Sequence, residues 1–214
     1  MDTLPPNAQQ HLPILIAEMK QYWPNAPLPA ALAAQVEQET CPKLSSPICW
    51  SPHAELKTAR EYGFGLGQLT ITSRFNSFEN VQLLDPSLKT WKWSQRYDPQ
   101  MQLRAMVLMD KNLFQRFTAA TLVDQMAFAL SAYNGGIGGV LNDKKLCGQI
   151  KHCDESRWFE HVEKKSFKQR IKVKGYGQSF YDINRGYVRS ILKIRHAKYL
   201  PYMEKENVIS TATQ

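Results

Sequence analysis

No stretch of this chain approaches the roughly 18 uninterrupted apolar residues that a bilayer-spanning helix needs. An integral membrane protein is therefore not expected. The N-terminal stretch MDTLPPNAQQHLPILIAEMKQYWP lacks the basic start, continuous apolar run and small-residue cleavage site of a secretory signal. Activity outside the cytoplasm would thus require another route of export. Internal repeats, low-complexity linkers and convincing runs of alternating strand pattern are also missing, as are zinc-finger spacing and RNA-binding signatures. Acidic side chains are the minority charge: 19 Asp and Glu against 27 Lys and Arg leave a formal net charge of +8. That balance suits an anionic partner, whether nucleic acid, membrane surface or bacterial cell wall. The basic residues between 144 and 205 are dispersed rather than blocked, and a nucleic-acid partner is not expected.

Cysteine is scarce and paired. Cys41 and Cys49 flank CPKLSSPIC, and Cys147 and Cys153 flank CGQIKHC. This spacing suits two short disulfide-closed loops in an oxidising compartment. Free thiols are the cytosolic alternative. A zinc site is a third, although the intervals exceed the two to four residues usual between paired ligands.

What is present is a chain of 214 residues with 43% hydrophobic content, enough for a substantial core. One domain over residues 1–203 is expected, followed by a polar, frayed tail over 204–214. Helical periodicity dominates. Leu12, Leu15, Ile16 and Met19 mark a first helix at about 8–23, and a second follows NAPLP and runs through AALAAQVEQET. AELKTAREY admits a further helix, and residues 77–99 are mixed. Helices return at about 100–117, 121–133 and 179–199. The expected class is mainly α, with little or no β-sheet.

Three stretches carry candidate chemistry. In QVEQET, helical phase places Glu39 on the apolar stripe of Leu32 and Val36 and turns Glu37 away from it. Desolvation favours the protonated form of a carboxyl, which suits a general acid. A Glu in a last helical turn is also an ordinary boundary residue. In SAYNGG, Leu122, Met126, Leu130 and Tyr133 share one helix face, and Asn134-Gly135 supplies a left-handed stop. Tyr133 then reads either as a core tyrosine beside a cap or as a phenol at the rim of a cleft. In DINRGYVRSILKIR, Tyr187 falls on the inward face with Ile183, Ile191 and Ile194, while Arg185, Arg189 and Lys193 form a basic stripe. That stripe reads as a solvated face or as an approach for an anionic polymer.

Taken in order, VEQET, WSP, GFGLGQLT, SAYNGG and GYVRSIL resemble the lysozyme-like lytic transglycosylases, the soluble type related to goose-type lysozyme. The resemblance spans about residues 30 to 195, and its nearest form is that of phage-type cell-wall lytic enzymes, or endolysins. It implies a lysozyme-like helical domain with a substrate cleft, acting as a monomer on peptidoglycan glycan strands in the periplasm or cell wall. Delivery would depend on a holin, a virion or another export route. Glu39 would be the acid/base. Ser51, Gly65, Leu66, Gln68, Tyr133, Asn134 and Tyr187 would bind or orient substrate, with no metal or organic cofactor. Glycines would clear a path for sugar rings, and Gln68 would offer both donor and acceptor to hydroxyl and N-acetyl groups.

Two departures from the family pattern stand out: Thr40 replaces the Ser that often follows the catalytic Glu, and AELKTAREY is inserted, bringing Glu55 and Glu61 near the glycines. The implied reaction cleaves the β-1,4 bond between N-acetylmuramic acid and N-acetylglucosamine, leaving a 1,6-anhydro end. A goose-type muramidase with Glu61 as second carboxylate is one alternative. A catalytically silent wall-binding or virion protein is the other.

Overall fold

Helices dominate the structure, and the strands form one small antiparallel sheet in the order β1-β2-β3. The computed structural model describes residues 4–168 and 170–203, so the expected polar tail lies outside the described residues. The chain divides into two units, one of Met1–Met109 with Arg195–Gln214 and the other of Asp110–Ile194. Among the described residues, no helix is long and apolar enough to cross a membrane.

In the first unit, α1 (Pro6–Tyr22) opens on a proline in its first turn, where the missing N–H has no intrahelical partner to lose. Ala8, Leu12, Leu15 and Met19 are buried along one face, and the Trp23 N–H closes the helix onto the Met19 carbonyl. Glu18 is buried on the same helix, held by Arg104 Nε at 2.8 Å and Gln100 Nε2 at 2.7 Å.

The second helix, α2 (Pro29–Thr40), also has proline in its first turn. Its Ala30, Ala31, Ala33 and Ala34 let neighbouring elements approach closely, and the helix is buried almost all round rather than on one stripe. One element packed on it is α8 (His196–Met203). The Cys41–Cys49 disulfide closes the loop directly after α2, with an S–S distance of 2.04 Å.

AELKTAREY does not form a helix. It supplies β1 (Glu55–Lys57) and the turn into β2 (Glu61–Phe64), while β3 (Leu69–Thr72) follows the glycines. Thr58 builds the first turn: its N–H donates to the Glu61 carbonyl at 2.9 Å, and its Oγ1 accepts from the Glu61 N–H at 3.2 Å. Pairing of Leu56 with Gly63 and of Gly63 with Thr70 overrides whatever helical preference the segment has. One face of the sheet joins a core of Phe64, Leu69, Phe78, Val81, Leu88 and Trp91. Phe78 and Val81 come from α3 (Ser77–Val81), and α4 (Pro99–Gln115) contributes Ala105 and Leu108.

The second unit is built on α5 (Leu122–Gly135), α6 (Ile137–Gly148) and α7 (Phe180–Arg189). Thr121 caps α5 by accepting from the Asp124 N–H, and Asp124 Oδ1 accepts from the Trp158 N–H at 2.9 Å. This anchors the fully buried Trp158 edge-on to Phe128, with ring centroids 5.7 Å apart. The sequence gives little sign of α6, because Gly138 and Gly139 in its first turn are poor helix formers. A disulfide between Cys147 and Cys153 ties its end, with S–S 2.01 Å. Both bridges take the pairing anticipated from their spacing. The helix expected over 179–199 is not continuous: α7 passes into a π-helical turn at Ser190–Arg195 before α8 begins.

Candidate functional site

The first unit holds Glu39, Ser51, Gly65, Leu66, Gln68 and Glu61; Tyr133, Asn134 and Tyr187 belong to the second. Glu39 is half-buried near the end of α2, in keeping with its phase. Glu37 departs from expectation. It is 3% exposed and accepts hydrogen bonds from Lys198 Nζ at 2.8 Å to each oxygen and from the Tyr199 hydroxyl at 2.5 Å, with Arg195 Nε at 3.5 Å. Helical phase separates Glu37 from Glu39 only where a helix buries a single face. An alanine-rich helix covered on several sides has no outward face to offer Glu37, and Lys198 of α8 with Arg195 just before it makes the burial tolerable.

From the end of α2 a chain of contacts leads toward the glycines. Thr40 Oγ1 donates to the Val36 carbonyl at 2.7 Å and accepts from the Trp50 N–H at 2.9 Å. The departure from Ser at this position therefore keeps the hydroxyl and its bonding capacity. Trp50 is fully buried with a left-handed backbone, φ 56°, and its Nε1–H donates to the Tyr199 hydroxyl at 3.0 Å. Desolvation, followed by the bond to Glu37, raises the Tyr199 phenol above its ordinary pKa, so it stays a donor. Ser51 follows, half-buried, with Oγ accepting from the His53 N–H at 3.1 Å and its carbonyl accepting from the Ala54 N–H at 3.0 Å.

Ala54 is the point where Ser51 and the glycine turn meet. Its carbonyl accepts from the Gly65 N–H at 2.8 Å and from Gln68 Nε2 at 2.9 Å. The same Gln68 amide donates to the Gly65 carbonyl at 2.8 Å. Gln68 thus binds the turn to itself, and the donor half of its amide is committed to backbone rather than presented outward. Leu66 is fully buried, a packing residue whose N–H donates to Gln102 Oε1 at 2.9 Å. Gln102 also donates to the carbonyls of Pro52 and Arg96 at 2.9 and 2.8 Å, which makes it the buried pin of the turn. Gly65 is required twice over: its φ is +80°, and a Cβ there would lie 2.4 Å from the Gln102 amide carbon.

The two carboxylates of the hairpin have different settings. Strand alternation and the Glu55–Phe64 pairing place Glu55, Tyr62 and Phe64 on one face, and Glu61 with Gly63 on the other. Glu55 accepts from the Tyr62 hydroxyl at 2.5 Å and from the Tyr97 hydroxyl. The first of these bonds, then the second, holds its carboxyl below the usual range, so it is ionised at neutral pH. Arg96 stacks on Tyr97 and Trp93, 4.4 and 4.7 Å from their ring centroids. On the other face, a Cβ at Gly63 would lie 3.0 Å from Gln68 Oε1, so Glu61 shares its face with the glycine and the glutamine amide.

In the second unit, Tyr133 is half-buried near the end of α5 and Asn134 is exposed beside it. The helix stop falls later than Asn134-Gly135 predicted: both are helical, and Gly136 carries the positive φ of 86°. Asn134 Oδ1 accepts from Asn184 Nδ2 at 3.1 Å, and that amide also donates to the Ser131 carbonyl at 3.0 Å. Asn184 Oδ1 in turn accepts from Ser131 Oγ and Arg185 Nη1, each at 2.8 Å. Arg185 is buried and ion-paired to Asp143 at 2.8 Å. Tyr187 is 4% exposed, an inward residue as its face predicted. Asn184 and Gln102 are the organising amides that motif reading passed over, since neither lies on an apolar stripe that would have singled it out.

Among the described residues, no group of three or more His, Cys, Asp or Glu is arranged to hold a metal ion. No family model matches the chain, and no curated protein matches it either.

Proposed function

We propose that the protein is a peptidoglycan lytic transglycosylase with Glu39 as its acid/base. The observation that carries the reading is the setting of Glu39, half-buried on a helix otherwise withdrawn from water and fastened through Thr40 and Trp50 to the segment leading to the Gly65–Gln68 turn. General acid catalysis requires a carboxyl held where it can pass its proton to the leaving oxygen. Glu39 gives that proton to the glycosidic oxygen as the bond to the muramic acid anomeric carbon breaks. The substrate's own N-acetyl group stabilises the positive charge that develops there. Glu39, now a carboxylate, takes the proton of the C6 hydroxyl as O6 bonds to the anomeric carbon, closing the 1,6-anhydro ring and restoring the acid. The scheme uses no metal or organic cofactor. Gln68 would meet the sugar through Oε1, and Tyr133, Asn134 and Tyr187 are assigned to orienting substrate.

Hydrolysis by a goose-type muramidase is the second reading, favoured by the position of Glu61 on the strand face that carries Gly63 and the Gln68 amide. Glu55 is the weaker candidate for a base, because it faces the other way and is engaged by two phenols. Purified peptidoglycan digested by the protein and treated with borohydride separates the readings. Anhydro ends resist reduction, whereas hydrolysed ends gain two hydrogens. The same digest with Glu39→Gln is expected to fall about a hundred- to ten-thousand-fold in rate. Undiminished lysis by that variant would end both readings.

A further inference from the structure

We propose that the segment between the short helical turn at Val162–Lys164 and α7 is a docking surface for an anionic phospholipid membrane. The sequence from Lys164 to Tyr181 contains Lys164, Lys165, Lys168, Arg170, Lys172 and Lys174 and no acidic residue. Arg170, Lys172 and Lys174 are exposed. Interleaved with these cations are two large apolar side chains turned to solvent, Phe167 at 70% exposure and Ile171 at 66%. Phe180, at the start of α7, is 43% exposed, with its ring 5.7 Å from that of Tyr176.

The described stretches on either side of residue 169 are tied to their surroundings. Arg185 Nη2 donates to the Lys165 carbonyl at 2.8 Å, and the Tyr181 hydroxyl donates to the Glu163 carbonyl at 2.9 Å. Between them, the Val173 N–H donates to the Gln178 carbonyl at 2.9 Å and closes a turn. Apolar side chains presented beside lysines match a headgroup boundary, where rings and aliphatic chains enter the acyl region while ammonium groups remain at the phosphates. Charge alone would equally suit a nucleic acid or an anionic polysaccharide. Neither has an apolar interior to cover Ile171 and Phe167, and this favours lipid.

The proposal is independent of the catalytic reading, and its test measures no lysis. The full-length protein is sedimented with vesicles of equal parts phosphatidylglycerol and phosphatidylcholine, and with vesicles of phosphatidylcholine alone. Each cation near an anionic surface strengthens binding about fivefold, so Arg170, Lys172 and Lys174 predict a preference of about a hundredfold for the anionic vesicles, Lys164 being paired to Glu160. The preference should collapse as salt shortens the screening length to about 3 Å near 1 M. Lys172→Gln/Lys174→Gln should weaken anionic-vesicle binding by about 25-fold, and Phe167→Ser/Ile171→Ser should weaken it at unchanged charge, with melting midpoints near that of the parent. Equal binding to both vesicle types, or none to either, overturns the proposal. So does a Phe167→Ser/Ile171→Ser variant that binds anionic vesicles as the parent does, which would mark the strip as a general polyanion surface. Should that variant fail to fold, the two exposed lysines decide the matter.

Discussion

Glu37→Gln removes one formal charge from a cluster in which a carboxylate only 4% exposed faces Lys198 and Arg195, whose side chains are 20% and 24% exposed. The variant keeps the shape of the side chain and one acceptor for the Tyr199 hydroxyl, but two cations lose their counter-charge. Breaking a buried pair by removing one partner costs about 3–5 kcal/mol, and the partial exposure of both cations lets water offset some of this. A loss of about 2–3 kcal/mol is expected, which for a protein of this length lowers the melting midpoint by about 5–10 °C. Calorimetry or urea denaturation reads it directly. Because Glu37 acts by fastening α8 to α2, the variant assayed well below its new midpoint should, if the proposed function holds, degrade peptidoglycan nearly as the parent does. The double variant Glu37→Met/Lys198→Met should recover part of the loss, since a matched apolar replacement removes both the charge and its partner. A midpoint within about 1 °C of the parent, less than 1 kcal/mol would produce, refutes the idea that this cluster holds the two helices.

Three further outcomes follow from the packing. Cys41→Ser/Cys49→Ser opens a loop of sequence separation 8 and should lower stability by roughly 2–3 kcal/mol in denaturant titration, with peptide mapping of the parent finding Cys41 joined to Cys49 and Cys147 to Cys153. Gly65→Ala combines a left-handed backbone with a clash on Gln102 and should cost about 2–4 kcal/mol; a parent-like urea midpoint would contradict the pinned turn. His11 is buried, and desolvation holds its imidazole pKa below the ordinary 6.5 against opposing bonds to the Asn7 and Trp50 backbone. The unfolded chain then binds the proton first as pH falls, so this contribution to stability is complete above 6.5 and is lost as pH drops from there through the depressed value. His11→Gln should flatten the pH dependence of the melting midpoint across that window, and an unchanged slope would locate it elsewhere.

Local pattern was enough to place α1, α2, α4 and α5, because a three-and-four apolar spacing, a proline in the first turn and a capping Thr act within one or two turns of chain. It was enough for the cysteines as well, since six or eight residues of separation leave little choice of partner. The sheet was not legible: β2 and β3 flank a glycine turn with too little alternation to announce strands, and β1 becomes a strand only by pairing with β2. Helical phase turned Glu37 outward, and its burial was not legible, because Lys198 and Tyr199 lie 161 and 162 residues away in the sequence. Gln102 reaches Leu66 across 36 residues and Asn184 reaches Asn134 across 50, in each case through an amide of no evident periodicity. Short-range preference determines where the strongly periodic helices lie, whereas pairing and packing decide AELKTAREY, α6 and the break at Ser190–Arg195. Which polar side chains are withdrawn from water, and therefore must be satisfied by partners, is decided only when distant segments close on one another, because desolvation depends on everything that surrounds a group and not on its neighbours in sequence.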